Sequence, residues 1–366
     1  MARSHNFSAG PTAVPLEVLN QAYDEFHDFA CTGMSIMEMS HRSPIFRAIA
    51  EQTEADLREL LEVPAHYRVL FVQGGASLQF AQVPMNLAGD NGSVDYLHTG
   101  LWSGKAIEAA RQYGEVRVVA SAQGTGFDRV PAVAHWQLNP KAAYLHYTEN
   151  ETVHGVQFTE APASEAPLVC DACSSLLSKP IDIARHGLVY AAAQKNMGVA
   201  GLTVVIMDPA LLDRCHGFTP DILNYRRISD AQSMLNTPAT FPWYLTGLTL
   251  QWIKRSGGLQ VLHQRNQTKA SLLYETLDGS DGFYRNPVQP AYRSINNVPF
   301  RLADEALQAV FLREAEAAGL HGLKGHASVG GIRASLYNAI SVEDLLHPVV
   351  AGLISVIVNY GGTFIL

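Results

Sequence analysis

The sequence predicts an α/β protein with a largely parallel sheet, followed by a smaller α+β part. Up to about Trp252, short apolar runs alternate with stretches of helical periodicity, which is typical of βαβ units. After Trp252 the pattern changes to a long helix followed by strand, helix and strand signals. The chain has 366 residues, of which 47% are hydrophobic. This is too much chain for one ordinary core and suits two packed domains.

The first elements are an arm and two helices. NFSAGPTAVP is rich in turn formers and is expected to lie as an arm before the helix PLEVLNQAYDEFHDF, which has Pro15 just inside its start. A second amphipathic helix is predicted over SPIFRAIAEQTEADLRELLEV. The strand YRVLFVQ, a GGAS turn and a helix from Leu78 onward come next.

Six further strands are predicted in the first part of the chain. They are VDYLHTG, VRVVAS, KAAYLHYT, APLVCDA, GLVYAAAQ and LTVVIMD. Only QKNMGVAG separates the last two, so these are expected to form a hairpin at the sheet edge.

The carboxyl-terminal part begins with a long helix, GGLQVLHQRNQTKASLLYETLDG. The strand NVPFRLADE, the helix EALQAVFLREAEAAGL and the strand GIRASLYNAIS follow. We therefore expect an arm over residues 1–15, a large domain over 16–256 and a small domain over 257–366.

Composition and charge exclude several classes of function. A net charge of −8 and a pI near 5.9 argue against a nucleic-acid-binding protein. Four cysteines are too few for a disulfide framework in a chain of this length, so a reduced, cytoplasmic protein is expected. The opening segment lacks the apolar core of a signal peptide. The stretch VVAGLISVIVNYGG is interrupted by polar residues, which favours a buried helix or strand over a membrane tail.

Lys195 is the lysine whose surroundings best fit catalysis. It follows the apolar strand GLVYAAAQ and precedes the small-residue turn NMGVAG, so its amine is expected at a sheet end among apolar neighbours. A desolvated amine has a lowered pKa and is a nucleophile toward carbonyl groups. The same pattern also fits a lysine that reaches from a strand end into solvent.

Asp171 ends the buried-looking strand APLVCD, and ligands of open α/β sheets bind at such ends. A lysine and an aspartate on neighbouring strands fit pyridoxal phosphate. The lysine binds the aldehyde, and the aspartate keeps the pyridine nitrogen protonated. The alternative is that Asp171 only caps a turn or a helix.

Two further features could serve such a cofactor. In Gly74-Gly75-Ala76-Ser77, small residues and a helix start would bring N–H groups and a hydroxyl to a phosphate, although an ordinary βα turn looks the same. Trp102 follows another strand end and could cover a planar ring or simply fill the core.

A metal site is not expected. Cys170 and Cys173 form a C-x-x-C pair, but a zinc site would need a second pair or histidines at ligand spacing. A thioredoxin-like motif would open a helix in a much smaller domain. The histidines show no H-E-x-x-H or comparable spacing.

The ordered motifs resemble the phosphoserine aminotransferase family, a class V, fold-type-I group of pyridoxal-phosphate enzymes. The likeness covers roughly residues 6 to 341. The strings that carry it are MEMSHRSPIF, FVQGGASLQFAQVPMNL, HYTENETVHG, YAAAQKNMGVAGLTVVI, SMLNTPATFPWYL and GLKGHASVGGIRASLYNA. The resemblance implies a mainly parallel seven-stranded sheet in the large domain and a homodimer with active sites at the subunit interface.

The resemblance also implies the reaction. This is reversible amino transfer between L-glutamate and 3-phosphohydroxypyruvate in serine biosynthesis, giving O-phospho-L-serine and 2-oxoglutarate, together with a related step of pyridoxine biosynthesis. By position, Lys195 resembles the Schiff-base lysine and Asp171 the partner of the ring nitrogen. The other implied positions are Ala76, Ser77 and Gln194 for the cofactor phosphate, Trp102 for ring stacking, Thr152 for the phenolic oxygen, Asn236 and Thr237 from the other subunit, Arg333 for the substrate α-carboxylate, and His41, Arg42 and His326 for the substrate phosphate or the glutamate side chain.

Two departures from the family pattern bear on specificity and packing. Ala327 stands where the family commonly has an arginine that holds the substrate phosphate, and losing such a contact costs about 1.5–3 kcal/mol. This affects the expected phosphoserine specificity but not the transamination chemistry. At residues 345–366 an uncharged segment replaces the usual charged amphipathic helix, and no physical reason for this is apparent.

Other functions remain as alternatives at this stage. Another class V aminotransferase would use unphosphorylated substrates and would not need cations at His41, Arg42 and His326. A cysteine desulfurase would need a reactive cysteine near the small domain, and the last cysteine is Cys215. A non-catalytic dimeric scaffold would not need the Lys195 and Asp171 pair.

Overall fold

The computed structural model describes residues 3–90, 92–345 and 352–353. Its strands are β1 His5–Asn6, β2 Arg68–Val72, β3 Ser93–His98, β4 Glu115–Ser121, β5 Leu145–Thr148, β6 Asn150–Glu151, β7 Val156–Gln157, β8 Leu168–Asp171, β9 Leu188–Ala192, β10 Thr203–Met207, β11 Tyr284–Arg285, β12 Asn297–Leu302, β13 Leu320–His321 and β14 Ile332–Ser335. Its α-helices are α1 Leu16–Asp24, α2 Pro44–Leu60, α3 Gly75–Leu87, α4 Leu101–Ala110, α5 Tyr225–Asp230, α6 Thr240–Arg255, α7 Gly258–Asp278, α8 Gln308–Ala317 and α9 Val342–Leu345.

The central sheet has seven strands in the order β2-β10-β9-β8-β5-β3-β4. The pairs from β9 across to β4 are all parallel, whereas β10 runs antiparallel to both of its neighbours. The predicted α/β class with a mainly parallel seven-stranded sheet is therefore confirmed. Because only β10 is reversed, the carboxyl ends of the other six strands lie along one edge of the sheet.

The predicted hairpin forms, but its predicted place at the sheet edge is wrong. Strands β9 and β10 pair with Ala192 opposite Thr203. On its other side β10 pairs with β2, where Val205 lies opposite Leu70. Strand β10 is buried along its whole length, as suits a strand with a neighbour on each side, whereas the edge strand β2 begins with an exposed Arg68.

Helix α2 begins as the sequence predicts, and helix α3 begins earlier. The Ser43 side chain accepts a hydrogen bond from the Phe46 N–H and so caps α2. Helix α3 starts at Gly75 instead of Leu78, because Gly74 takes the left-handed conformation and forms the cap. The first turn of α3 therefore contains the GGAS residues.

A smaller three-stranded antiparallel sheet, in the order β11-β12-β14, packs with helices α7 and α8 around its own apolar cluster. The amino-terminal arm joins this cluster, since β1 pairs with β13 and Phe7 is fully buried. Residues 346–351 and 354–366, which hold most of the uncharged tail, lie outside the described residues. Within the described ranges, no helix is long and apolar enough to span a membrane.

Candidate active site

A cavity of about 360 Å³ lies at the carboxyl ends of β5, β8 and β9. Seven of the residues that the sequence singles out line it: Ala76, Ser77, Trp102, Thr152, Asp171, Gln194 and Lys195. They come from five separate stretches of the chain. The sheet brings them together because its parallel strands end on the same side.

Lys195 lies in the turn between β9 and β10 and is half-buried. Its Nζ donates a hydrogen bond of 2.7 Å to Thr152 Oγ1. The amino-terminal arm supports the same turn, because Thr12 Oγ1 donates to the Lys195 carbonyl at 2.7 Å. The amine therefore lies at the cavity wall with a hydroxyl partner.

Asp171 is the last residue of β8 and is 4% exposed. One carboxylate oxygen accepts the Cys173 N–H at 3.0 Å, so the residue caps a turn and lines the cavity at the same time. Burial raises the pKa of Asp171, while this hydrogen bond and the positive charge of Lys195 oppose the rise.

The start of α3 provides a group of hydrogen-bond donors beside the cavity. Gly74 and Gly75 both have positive φ, and Ser77 in the first turn is exposed. The first N–H groups of an α-helix have no partner inside the helix and attract anions. Ala76 contributes a backbone N–H to this turn and adds little bulk.

Trp102 lies in the first turn of α4, half-buried and facing the cavity. Lys105 Nζ lies 4.8 Å from the centre of its ring. The indole Nε1 is buried, and no acceptor for it is found among the described residues. The ring therefore forms part of the cavity wall and is not simply enclosed in the core.

The cavity fits a planar, phosphorylated aldehyde such as pyridoxal phosphate. It combines an amine for the aldehyde, a buried carboxylate for a ring nitrogen, an aromatic face and a helix start for the phosphate. Thr148 Oγ1, next to Asp171 in the strand register, is buried and has no partner in the described part of the chain. A polar ligand in the cavity would satisfy such a group.

Arg333 lies on β14 of the smaller sheet and is half-buried. Burial lowers the pKa of its guanidinium, and its Nε is buried without a partner within the described ranges. His326 lies near enough for the positive charges of Arg333 and Lys105 to reinforce the lowering of its pKa by burial. Arg333 and Lys105 therefore place positive charge around the His326 ring, which suits an anionic ligand.

Six predicted residues do not line the Lys195 cavity of the same chain: Arg333 and His326, described above, and four others. His41 and Arg42 line a separate cavity of about 320 Å³. Asn236 lines a third cavity, where its side chain donates to Gln73 Oε1 at 3.2 Å, and Thr237 is exposed nearby.

Glu151 is a residue that the sequence analysis missed. It is fully buried, and its carboxylate accepts hydrogen bonds from the backbone N–H groups of Trp102 and Ser103. The run of polar residues TENET, which begins at the last residue of β5, is the only signal in the sequence that could have indicated it. Among the described residues, no group of three potential metal ligands is found.

The comparisons with known proteins agree with this geometry. The profile of the family described as Aminotransferase class-V matches residues 4–347. A phosphoserine aminotransferase of Pseudomonas aeruginosa is 52% identical over 342 residues, which cover 93% of this chain and 94% of the relative.

Solved structures match over nearly the full length. The phosphoserine aminotransferase of Bacillus circulans subsp. alkalophilus is 44% identical with a TM-score of 0.96, and the match covers 98% of this chain and 99% of that one. A phosphoserine aminotransferase from Trichomonas vaginalis, solved with PLP bound, is 38% identical with a TM-score of 0.92. This match covers 96% of this chain and 99% of that one.

Proposed function

The chain belongs to the class-V aminotransferase family, and from that premise we propose that it transfers an amino group reversibly between L-glutamate and 3-phosphohydroxypyruvate. The products are 2-oxoglutarate and O-phospho-L-serine, as in serine biosynthesis, and the proposal extends to the related phosphorylated keto acid of pyridoxine biosynthesis. The observation that carries it is the pairing of the Lys195 amine with Thr152, 2.7 Å apart, in the cavity that Asp171 also lines.

The cofactor is pyridoxal phosphate, which supplies an aldehyde that takes up the amino group and a ring that spreads negative charge. Lys195 would bind the aldehyde carbon and, when free, move a proton at the substrate Cα. Thr152 holds the amine by accepting its hydrogen bond. Asp171 would hold a proton at the ring nitrogen, because a buried carboxylate close to that atom stabilises its protonated form.

The remaining cavity residues would orient the cofactor. The first turn of α3, with Ala76 and Ser77, would donate hydrogen bonds to the phosphate, and Gln194 lines the same cavity. Trp102 would cover one face of the ring and exclude water from it.

The substrate anions require cations although the chain as a whole is acidic. Arg333 suits the α-carboxylate, because a guanidinium binds a carboxylate through two hydrogen bonds and the buried Arg333 Nε has no partner in the described part of the chain. His326, close to Arg333, would meet the substrate phosphate or the distal carboxylate of glutamate. His41 and Arg42 would complete that subsite.

A homodimer would explain why four of the implied residues lie away from the Lys195 cavity. His41, Arg42, Asn236 and Thr237 would serve the cavity of the other subunit. The surface around α1 and the start of α2 supports the proposal of a dimer, because it exposes several large apolar side chains that a second copy of the chain could cover. They are Leu16, Leu19, Tyr23, Phe26, Met34, Met37 and Ile45.

The same proposal includes the division into an arm (1–15), a large domain (16–256) and a small domain (257–366), and a cytoplasmic location. All four cysteines are free, which suits a reducing compartment.

The test follows the visible absorption of the purified protein loaded with pyridoxal phosphate. L-Glutamate should bleach the band of the lysine-bound cofactor, and 3-phosphohydroxypyruvate should restore it. Lys195→Ala should bind the cofactor without forming that band and should show no turnover. If only an unphosphorylated keto acid restores the band, the amino-transfer chemistry is supported but the proposed phosphorylated substrate is contradicted. A protein that gains no colour with added cofactor would indicate a scaffold.

A further inference from the structure

The hairpin formed by β6 and β7 contacts both Lys195 and the helix that carries Trp102. Its strands pair Asn150 with Gln157 and Glu151 with Val156. The Gly155 N–H donates to the Glu151 carbonyl at 2.8 Å and closes the turn. The hairpin is therefore a short, internally bonded unit at the cavity wall.

Glu151 directs its carboxylate at the start of helix α4. Oε2 accepts the Trp102 N–H at 3.0 Å, and Oε1 accepts the Ser103 N–H at 2.9 Å and the Ser103 hydroxyl at 2.6 Å. A helix start attracts negative charge, because its first N–H groups lack intrahelical partners. Burial raises the pKa of Glu151, and these hydrogen bonds oppose the rise.

His154, on the same hairpin, adds a contact to the same turn. Its Nδ1 accepts the Leu101 N–H at 3.3 Å. Burial lowers the pKa of His154 to about 4, so at neutral pH the ring is uncharged and one ring nitrogen can accept a hydrogen bond. Three successive N–H groups of α4, those of Leu101, Trp102 and Ser103, therefore bond to this hairpin.

The close approach between the hairpin and α4 depends on a glycine. A Cβ at Gly100 would lie 2.5 Å from Glu151 Cδ, so a larger residue would push the carboxylate away from the helix start. Thr152, which follows Glu151, meanwhile accepts the Lys195 amine. One short segment therefore holds an aromatic wall of the cavity and the reactive amine in fixed relation.

We propose that Glu151 is a positioning residue: it fixes the first turn of α4 and thereby holds Trp102 against the bound cofactor. It does not itself line the cavity. The part that concerns the cofactor rests on the proposed function, whereas the fixing of the helix start does not.

The experiment compares wild-type protein with Glu151→Gln, Trp102→Ala and the double variant. Glutamine keeps the size of the side chain, but its amide nitrogen cannot accept the Trp102 N–H. Pyridoxal phosphate is titrated into the cofactor-free proteins and followed by absorbance. Glu151→Gln should raise the dissociation constant about tenfold, since it removes a charge-assisted hydrogen bond. The double variant should bind no more weakly than Trp102→Ala alone, because Glu151 acts through Trp102.

Amide hydrogen exchange in the cofactor-free protein gives a second readout. Peptides covering Leu101 to Ser103 should exchange faster in Glu151→Gln, and Glu151→Asp should lie between the variant and the wild type. Asp208→Asn is the matched control, because Asp208 also caps a helical turn but lies outside the cavity. It should change neither measurement.

The outcomes distinguish the role of Glu151 in fixing the start of α4 from the proposed binding of the cofactor. Unchanged exchange at Leu101 to Ser103, or losses of affinity that multiply in the double variant, would overturn the role of Glu151. A wild-type protein that binds no cofactor would refute the proposed function, while the exchange measurement would still decide whether Glu151 fixes α4. If Glu151→Gln does not fold, Glu151→Asp replaces it in the same cycle with the same expected order.

Discussion

Asn196, the residue after Lys195, accepts a hydrogen bond of 3.1 Å from the backbone N–H of Asn338. The Asn338 side chain donates to the Leu177 carbonyl and accepts from Asn266 Nδ2, both at 2.8 Å. All of these groups are buried. The turn that carries Lys195 is thereby joined to the segment after β14, to the segment after β8 and to helix α7.

Asn338→Ala should destabilise the folded protein. The change leaves the Leu177 carbonyl buried without this donor, and it leaves the Asn266 amide with one acceptor, the Ser178 carbonyl, instead of two. A lost partner of a buried polar group costs about 1–3 kcal/mol of the free energy of unfolding. Urea denaturation of the cofactor-free protein measures it as a lowered midpoint. An unchanged midpoint would show that water or a rearranged loop replaces both hydrogen bonds.

The pH dependence of stability should report on Lys269 of helix α7. This lysine is 1% exposed, and its Nζ donates to the carbonyls of Leu336, Tyr337 and Ile340 at 2.8–2.9 Å. Burial lowers its pKa from 10.5 to about 7, while the negative charge of Asp344 opposes the shift and Arg265 adds to it.

The direction in which stability changes with pH follows from the number of protons bound by the folded and the unfolded chain. Between pH about 7 and about 10.5 the unfolded chain keeps a proton on Lys269 that the folded chain has released, so stability rises with pH in this window. Lys269→Met removes the titration and is also less stable, because three carbonyls lose their donor. The advantage of the wild type over Lys269→Met in free energy of unfolding should therefore be larger at pH 9 than at pH 6.5. A difference that is constant or shrinks with pH would contradict this titration.

The strands could be predicted from the sequence because buried strands are continuous apolar runs. The second neighbour of β10 could not be predicted. A hairpin signal indicates one partner, here β9, and contains no information about the other side, where β2 from an earlier part of the chain pairs with β10. Helix α3 began earlier than predicted because Gly74, usually a turn residue, serves as its cap.

The site residues also divide into those that a local sequence pattern predicts and those that it does not. Lys195 and Asp171 follow from their positions at strand ends, a local pattern. Asn236 and Arg42 were named only through the family resemblance, since nothing around them indicates a ligand. Glu151 was missed because it caps a helix that is distant from it in sequence. A contact between distant residues produces no motif of fixed spacing that could be recognised in the sequence.

Asp171→Asn should slow the reaction much more than it weakens cofactor binding. Asparagine keeps the shape of the side chain but cannot hold a proton at the ring nitrogen as a carboxylate does. Loss of one preorganised electrostatic contact in an active site costs about 10²–10³ in rate. Stopped-flow absorbance after addition of L-glutamate measures the half-reaction, and a rate within a few-fold of wild type would refute this role of Asp171.

Arg333→Lys should raise the KM for L-glutamate about 10- to 100-fold, with a smaller effect on kcat. Lysine keeps the charge but loses the paired donors that bind both carboxylate oxygens. Arg226 of helix α5 is the control, because its guanidinium pairs with Asp213 at the surface. Arg226→Lys should leave both constants unchanged, and an equal effect of the two changes would point to a general loss of packing.

Ala327→Arg should improve the use of the phosphorylated keto acid. Ala327 is exposed and follows His326, which lies among the positive charges of Arg333 and Lys105. An added guanidinium there would give the phosphate one more charge-assisted contact, which corresponds to a KM for 3-phosphohydroxypyruvate about tenfold lower. The gain should be absent with hydroxypyruvate, which has no phosphate, and with Ala327→Gln, which adds length without charge. An equal gain with hydroxypyruvate would mean that the arginine acts on the α-carboxylate. No gain with either substrate would place the phosphate away from the His326 loop.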